Sequence, residues 1–354
     1  MKVLVTGGAG FIGSNFVRFA LDKGADIINV DKLTYAGNLE NLGSYNQHAK
    51  HHFCKADICC AASIQQIISQ YQPDSIIHMA AESHVDRSID CADDFIQTNI
   101  VGTYTLLSNA FSYFNSLPAP QKAAFRFIHL STDEVFGALG NTGKFTELSP
   151  YQPNSPYAAS KASSDLLVRS YYKTYKFPAI IVNASNNYGP RQFPEKLIPL
   201  TILNALENKP LPIYGNGRQI RDWLYVEDHV QALWDVLHHG KIGEQYCIGS
   251  DNEISNLEVV HEICDVLDRL HPSQHVKKYK DLITFVKDRP GHDFRYATDA
   301  TKVKKHTSWV PKTSFTKGLE RTIKWYVDHQ KNLLQIDARH RIGLRGNSRH
   351  ADEM

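Results

Sequence analysis

Apolar runs are short throughout the chain. None approaches the ~20 consecutive residues that a membrane-crossing helix needs, so no membrane span is expected. Charge of one sign is missing too: 39 basic and 37 acidic side chains leave a formal charge of +2, which offers no footprint for nucleic acid or an anionic membrane. The six cysteines, at 54, 59, 60, 91, 247 and 264, include no CxxC pair and no framework spacing. Reduced thiols and a cytoplasmic location are the expectation. Doublets such as His51-His52 and His238-His239 lack carboxylate or cysteine partners at ligand spacing, and no metal site is expected. Nor is a signal peptide, because Lys2-Val3-Leu4-Val5-Thr6 runs straight into a glycine loop. Proline is sparse, and there is no internal repeat. With 42% hydrophobic and 21% charged residues, the composition is that of an ordered globular protein.

At 354 residues the chain exceeds one minimal core and falls short of three ordinary domains, so a large α/β domain with a smaller partner is expected. Short Val- and Ile-rich runs at 3–6, 27–31, 75–80, 125–132 and 179–185 read as strands covered on both faces. They alternate with helical patterns near 11–23, 64–71, 93–114 and 155–175, the signature of βαβ units and a parallel sheet. Beyond about 190, Pro190, Pro194, Pro199, Pro210 and Pro212 punctuate the chain. Short strands at 211–214 and 245–248 are followed by helices at 256–270 and 315–328. The expected division is a first domain over 1–190 and a smaller α/β lobe over 191–330 that can return an element to the first sheet. A polar tail over 336–354 reads as flexible, with a basic interaction arm as the alternative.

Thr6-Gly7-Gly8-Ala9-Gly10-Phe11-Ile12-Gly13 lies between the first strand and the first helix. Gly8, Gly10 and Gly13 fit G-x-G-x-x-G, and Gly7, Gly10 and Gly13 fit G-x-x-G-x-x-G. Such glycines make a tight turn, admit a pyrophosphate close to the backbone and point a helix N-terminus at it. Asp31 ends the second strand, where a carboxylate accepts hydrogen bonds from the adenosine ribose of NAD and repels a 2′-phosphate. A glycine turn beside an unrelated surface acid is the plainer alternative; the order strand, loop, helix, acid speaks against it. In Ser155-Pro156-Tyr157-Ala158-Ala159-Ser160-Lys161, Ser155 caps and Pro156 opens a helix. The i, i+4 spacing then puts the Tyr157 phenol and the Lys161 ammonium on one face. A nearby cation lowers a phenol's pKa and makes it a base towards a sugar hydroxyl. Without the dinucleotide loop the pair would read as helix surface.

Tyr157-x-x-x-Lys161 behind an N-terminal glycine loop resembles the extended, nucleotide-sugar-modifying branch of the short-chain dehydrogenase/reductase superfamily. Five further stretches narrow the resemblance to the dTDP-glucose 4,6-dehydratases over roughly residues 1–330. They are Ser131-Thr132-Asp133-Glu134-Val135-Phe136-Gly137, Ala80-Ala81-Glu82-Ser83-His84-Val85-Asp86-Arg87-Ser88, Asn186-Asn187-Tyr188-Gly189-Pro190, Pro194-Glu195-Lys196-Leu197-Ile198-Pro199 and Asp288-Arg289-Pro290-Gly291-His292-Asp293. The resemblance implies a Rossmann-type doubly wound parallel sheet carrying NAD and the catalytic residues. It also implies a smaller C-terminal α/β lobe for the nucleotide sugar, and a homodimer through a helix bundle. NAD would lie against Gly7, Gly10, Phe11, Ile12, Gly13, Asp31, Lys32, Leu33, Thr34, Asp57, Ile58, Ala80, Ala81, Thr98, Tyr157, Lys161 and Asn187. dTDP-glucose would lie against His84, Thr132, Asn186, Lys196, Leu197, Pro212, Ile213, Tyr214, Arg221, Asn256, Asp288, Arg289, Pro290, Gly291 and His292. The residues after Gly189-Pro190 and around Phe294 depart from the family pattern, which leaves the edge of the sugar pocket undefined, and the tail has no counterpart.

The resemblance also implies the reaction, with Thr132, Asp133, Glu134, Tyr157 and Lys161 as catalytic positions. Hydride leaves C4 for NAD while Tyr157 takes the hydroxyl proton. Glu134 removes the C5 proton acidified by the new ketone, Asp133 protonates the departing C6 hydroxyl, and hydride returns to C6. Two carboxyls beyond a strand end suit this chemistry, since different surroundings can set one as acid and one as base; a solvated acidic turn is the plainer alternative. Arg221 and Arg289 suit a diphosphate; Tyr214 can stack on the base, but sequence alone favours its packing in the lobe core. Thymine differs from uracil by one methyl, worth ~1–3 kcal/mol in an apolar pocket, so UDP-glucose is the competing substrate. The rivals are a UDP-sugar 4-epimerase or decarboxylase of the same fold, and a non-catalytic sensor of NAD or nucleotide sugar. Phe95, Ile100, Tyr104, Leu107, Phe111, Leu166, Leu167 and Tyr171 give the helices 93–114 and 155–175 more apolar surface than one face requires, which suggests an isologous dimer.

Overall fold

The computed structural model describes residues 1–334; the tail expected over 336–354 lies outside the described residues. In chain order the strands are β1 (Lys2–Thr6), β2 (Asp26–Asp31), β3 (His51–Lys55), β4 (Ser75–His78), β5 (Arg126–Thr132), β6 (Ala179–Ala184), β7 (Asn186–Tyr188), β8 (Leu211–Tyr214), β9 (Ile220–Tyr225), β10 (Gln245–Ile248), β11 (Glu253–Ser255) and β12 (Ile283–Val286). Seven of them form one parallel sheet in the order β10-β6-β5-β4-β1-β2-β3, the doubly wound arrangement. The order reverses between β1 and β4. The chain first builds outward through β2 and β3, then crosses to β4 and builds the other way. Connections leaving β1 and β4 therefore diverge and open a crevice beyond the strands' carboxyl ends.

Successive side chains along each strand face opposite sides of the sheet. Val3, Val5, Ile27, Ile77, Ile128 and Ile180 pack with residues of the helices Phe11–Asp22 and Val226–His239. Leu4, Ile28, Ile76, Phe127 and Ile181 pack with residues of Ala61–Tyr71, Thr103–Ser116 and Pro156–Tyr175. Both faces are dry, which is why the central strands read as nearly continuous apolar runs. A second core joins Tyr188, Ile202, Trp223, Ile263, Phe315 and Ile323. It is built on the helices Leu197–Leu206, Asn256–Leu270 and Phe315–Leu334 and on two small sheets, β11-β9-β7 and β12-β8.

Some features depart from the sequence expectation. β3 pairs only with β2 at the sheet edge, and its sequence, His51-His52-Phe53-Cys54-Lys55, carries no apolar run because one side of an edge strand needs little cover. β10, by contrast, is the kind of returning element that the sequence allows: it joins the large sheet beside β6, and Val230, Leu233, Val236, Tyr246, Val303 and Trp309 belong to that sheet's core, so the second half of the chain interleaves with the first. The helix expected at 93–114 contains a π-helical stretch, Ile96–Gly102, ahead of Thr103–Ser116. In the expected apolar stripe, Phe95 and Leu107 belong to the core. Tyr104 and Leu166 are exposed, and Ile96, Val101 and Tyr175 are exposed with them. Among the described residues no helix is long and apolar enough to cross a membrane.

Phe177, with no exposed surface, meets the rings of Phe111, Phe114, Phe125, Phe127 and Tyr171 at centroid distances of 5.4–6.3 Å. It joins the helices Thr103–Ser116 and Pro156–Tyr175 to the sheet. Phe177→Ala is expected to cost about 3–5 kcal/mol in urea denaturation. Leu148→Ala, at a side chain 94% exposed, should stay within about 0.5 kcal/mol of the parent.

Candidate active site

The glycine loop leaves β1 and enters the helix Phe11–Asp22, which starts at Gly10 without any side-chain cap. Its first N–H groups are thus free of a side-chain partner, facing the cavity that Gly7, Gly10, Phe11, Ile12 and Gly13 line. Gly7 has φ of +74°, and a Cβ there would lie 2.7 Å from the Ala80 nitrogen; a Cβ at Gly13 would lie 2.0 Å from the Gly7 carbonyl oxygen. At Gly10 a Cβ would meet only the Gly7 oxygen at 3.4 Å, so Gly10 is spared a side chain on the cavity's account. At the end of β2, Asp31 accepts N–H bonds from Ala9 (3.0 Å) and Leu33 (2.8 Å). Burial raises its pKa and these two bonds oppose the rise, and lone pairs remain for hydroxyl donors in the cavity. Lys32, Thr34, Ile58, Ala80, Ala81, Thr98, Tyr157 and Lys161 complete the expected set on this wall. An uncapped helix start, a backbone kept bare and an acid across the cleft are the features that a dinucleotide needs.

Tyr157 and Lys161 stand in the first turns of Pro156–Tyr175, where the Ser155 hydroxyl accepts the Ala158 N–H at 3.1 Å. The short helix Val85–Asp90, absent from the sequence expectation, braces this start: the Tyr157 N–H donates to the Ser88 hydroxyl at 3.1 Å. The π-helical stretch contributes Asn99, whose amide donates to the Glu82 carbonyl (2.9 Å) and the Ser160 hydroxyl (2.8 Å), tying the loop after β4 to the helix Pro156–Tyr175. The largest influence on the Tyr157 phenol is its burial. Burial and the Glu134 charge push its pKa up, and a hydrogen bond from Thr132 opposes them. The Lys161 ammonium donates to the Leu130 carbonyl at 2.8 Å.

β5 delivers Thr132, and a 3₁₀ turn, Asp133–Phe136, follows at once; the Thr132 hydroxyl caps it by accepting the Glu134 N–H at 3.2 Å. With three residues per turn, neighbouring side chains point about 120° apart, so the two acids enter different surroundings. Asp133 is 1% exposed and within reach of hydroxyls at Thr132 (3.4 Å) and Thr298 (3.3 Å). Burial, then the charges of Glu134 and Asp222, push its pKa well above the usual carboxyl range. Glu134 is raised by burial too, but Arg289, Lys196 and Arg221 pull the other way. Both carboxyls are raised, Asp133 the further, and surroundings that differ in this way can set one as acid and the other as base.

A second cavity opens beyond this pair, lined by Thr132, Asp133, Glu134 and Tyr157 and by His84, Asn186, Lys196, Leu197, Pro212, Ile213, Tyr214, Arg221, Asn256, Arg289 and His292. Asp86 ties two of these walls together, accepting from the Tyr214 hydroxyl and the Arg289 guanidinium, each at 2.7 Å. Tyr214 is therefore a wall residue and not part of the lobe core. The Arg289 Nε is buried without a hydrogen-bond partner, an orphan donor that suits an anionic ligand. The guanidinium of Arg221 lies 4.2 Å over the Tyr296 ring and donates to the Ile220 and Asp293 carbonyls at 2.8 and 3.0 Å. Phe11, Ile12, Ser83, Ser131, Tyr157, Gln192, Glu195 and Lys196 line both cavities, so the two meet at Tyr157.

Six expected contacts do not line the cavities as expected. Leu33 and Asp57 stand behind the cofactor wall: Leu33 holds Asp31, and Asp57 pairs with Lys32 at 3.5 Å. Asn187, expected beside NAD, lines the second cavity instead and bonds His229 at 2.8 Å. Asp288 accepts from Gln219 (2.8 Å) and His292 (2.7 Å) to fold its loop, while Pro290 and Gly291 shape the loop without reaching the wall. Sequence reading passed over Asp86 and Glu195, although both lie inside quoted motifs, and Tyr296, for which no local signal exists. Glu195 accepts from the Tyr35 hydroxyl at 3.2 Å, lies 3.4 Å from the Arg87 Nε, and has its pKa raised by burial to about 7.

A family model described as GDP-mannose 4,6 dehydratase matches residues 4–322. The dTDP-glucose 4,6-dehydratase of Neisseria meningitidis serogroup B is 56% identical over 333 residues, covering 93% of this chain and 94% of that protein. Among solved structures, dTDP-glucose 4,6-dehydratase from Bacillus anthracis in complex with NAD superposes with a TM-score of 0.82 at 44% identity, over 94% of this chain and 99% of the other. The Streptomyces venezuelae dTDP-glucose 4,6-dehydratase DesIV, with NAD and TYD bound, gives 0.85 at 42% identity, over 94% and 98%.

The bare wall at Gly10 and the crowded one at Gly13 should separate in experiment. Gly10→Ala is expected to melt within a few degrees of the parent but to lose NAD affinity in calorimetric titration. Gly13→Ala must displace the Gly7 backbone, so it should lower the melting temperature as well.

Proposed function

The chain belongs to the dTDP-glucose 4,6-dehydratase family, and we propose from that premise how its residues carry the reaction. The activity is an NAD-dependent lyase reaction of deoxysugar synthesis: dTDP-glucose loses one water and becomes dTDP-4-keto-6-deoxyglucose. One observation carries the assignment of roles. Adjacent carboxyls on the wall of the second cavity have different surroundings: Asp133 is buried against hydroxyls and two other acids with Arg221 opposing them, and Glu134 is buried among three cations. An epimerase needs no such pair.

The glycine loop, Asp31 and the Thr98 wall hold NAD, with 1–190 as the cofactor-bearing domain and 191–330 supplying most of the nucleotide-sugar contacts. Bound there, NAD supplies the hydride acceptor for C4, the positive charge that the buried phenol lacks, and the hydride that returns to C6. Tyr157 accepts the C4 hydroxyl proton, with Thr132 hydrogen-bonded to the phenol and Lys161 holding the cofactor side. Once C4 is a ketone, Glu134 takes the C5 proton and Asp133 gives its proton to the C6 oxygen, which leaves as water. Glu134 then returns its proton to C5. Arg221, Arg289 and Lys196 neutralise the diphosphate, and Tyr214 borders the base. Mass spectrometry of dTDP-glucose, UDP-glucose and GDP-mannose, each watched for loss of one water, tests the reading. dTDP-glucose should react fastest with partial turnover of UDP-glucose, and a preference for GDP-mannose would overturn it.

Oxidation precedes elimination, so variants should stop at different points. Tyr157→Phe should form no bound NADH when substrate is added. Glu134→Gln should accumulate the reduced-nicotinamide absorbance while water loss slows by ~10²–10⁴-fold, the usual worth of one positioned acid–base group. Water loss at the parent rate in Glu134→Gln would remove Glu134 from its role.

The assembly reading is a homodimer through the helices that carry Ile96, Tyr104, Leu166 and Tyr175, exposed by 49%, 52%, 57% and 51%. Two-fold pairing of these helices would cover that surface. Light scattering at micromolar concentration should give twice the chain mass, and a monomeric mass would refute it. A cytoplasmic location is part of the same reading, supported by six free cysteines, of which Cys60 and Cys91 are exposed.

A further inference from the structure

We infer that Asp165 is a positioning residue of this reaction: the buried counter-charge that keeps Lys161 in its cationic form. The inference rests on the role given to Lys161 above. Tyr157, Lys161 and Asp165 follow one another at i, i+4 and i+8 along a single helix, Pro156–Tyr175, and so share one face. Asp165 is 1% exposed and touches neither cavity, so the chemistry does not use it directly. One of its oxygens accepts from the Ser131 hydroxyl (2.8 Å), the Tyr151 hydroxyl (2.9 Å) and the Asn183 amide (3.2 Å), three donors from three segments. The other oxygen lies 3.2 Å from the His129 Nε2. A buried carboxylate is costly unless it balances a charge.

One turn before Asp165 on the same helix stands the buried cation Lys161, itself 4% exposed. Burial brings its pKa down to about 8, and Asp165 is the group that opposes the fall. Its other titratable neighbours are Tyr157 on the same helix, His129 on β5 and His78 on β4. Both histidines are buried; His129 is held down to about 4 and His78 well below its usual value, so neither carries charge near neutral pH. On the cofactor side the wall carries Asp31, Lys32, Glu82, Glu195 and Lys196. Since Asp165 raises the lysine's pKa, removing its charge lowers that pKa from about 8 towards neutrality. Lys161 then loses its proton at a lower pH, and the alkaline limb of the oxidation step moves down.

The test is single-turnover NADH formation by the NAD-loaded enzyme with dTDP-glucose, followed from about pH 6 to 10. The parent is measured first. If it forms neither NADH nor dehydrated product, the functional reading has failed and not the role of Asp165. In Asp165→Asn the alkaline limb should fall by about one pH unit or more, with the rate recovering towards the acid side. Asp165→Glu keeps the charge and should restore the limb. Tyr151→Phe disturbs the same network without changing charge and should leave the limb in place. An Asp165→Asn protein that is slower at every pH with an unmoved limb would show a merely structural residue and overturn the inference. If Asp165→Asn does not fold, Asp165→Thr, which removes the charge and keeps a hydroxyl for the network, is read in its place: a limb lowered by about one unit supports the counter-charge, and an unmoved limb overturns it.

Discussion

The reversal of strand order between β1 and β4 is the constraint on which the rest depends. Parallel neighbours joined by right-handed crossovers send their helices to opposite faces when the direction of building changes. No connection can bridge the carboxyl ends at that point, and a crevice follows from topology alone. The glycine loop lies on one side of it and the β4 loop, from Ala80 to His84, on the other. β5, next along, carries Thr132, Asp133 and Glu134 to the same rim. The second half of the chain then builds its cations against this rim, and it stays registered with it because β10 is a member of the large sheet.

What was legible in the sequence is what the backbone decides locally. The Gly7–Gly13 loop, Asp31 at a strand end and the capped Tyr157–Lys161 turn are each specified within a few residues, and each lies where its pattern placed it. Contacts formed at long range left no such trace. Asp86 joins Tyr214 and Arg289 across 128 and 203 residues of chain, and Tyr296 reaches the sugar cavity only because β9 and its bridge to Arg295 bring it there. β3 failed for the opposite reason, since an edge strand has too little burial to impose an apolar run. The π-helical stretch was hidden inside a convincing helical period, though the Cβ that Gly102 lacks would lie 2.7 Å from Ile58.

Burial adds an electrostatic effect on the tyrosine and lysine that their spacing does not show. Placing a phenol and an ammonium one turn apart suggests that one tunes the other, but burial acts on both in opposite senses. It raises the phenol's pKa and lowers the ammonium's, so both neutral forms gain. Any help that proximity gives the charged forms therefore works against burial. Charge from outside the pair works the same way, from the bound cofactor on one side and a buried acid on the other.

The wall shared by the two cavities completes the physical picture. Tyr157, Gln192, Glu195 and Lys196 belong to both, and the Tyr35–Glu195 and Arg87–Glu195 contacts fasten residues 190–197 to segments that follow β2 and β4. A sugar in one cavity and a dinucleotide in the other would thus rest on a common partition with no separate compartment between them. Hydride taken from C4 needs to return only one bond beyond the neighbouring carbon, to C6 of the same sugar. An intermediate that stayed on this partition would be shielded from water between the two transfers, and the cofactor would have no reason to leave. Internal redox chemistry with a catalytic quantity of NAD is the mode of action that such a joined cavity favours.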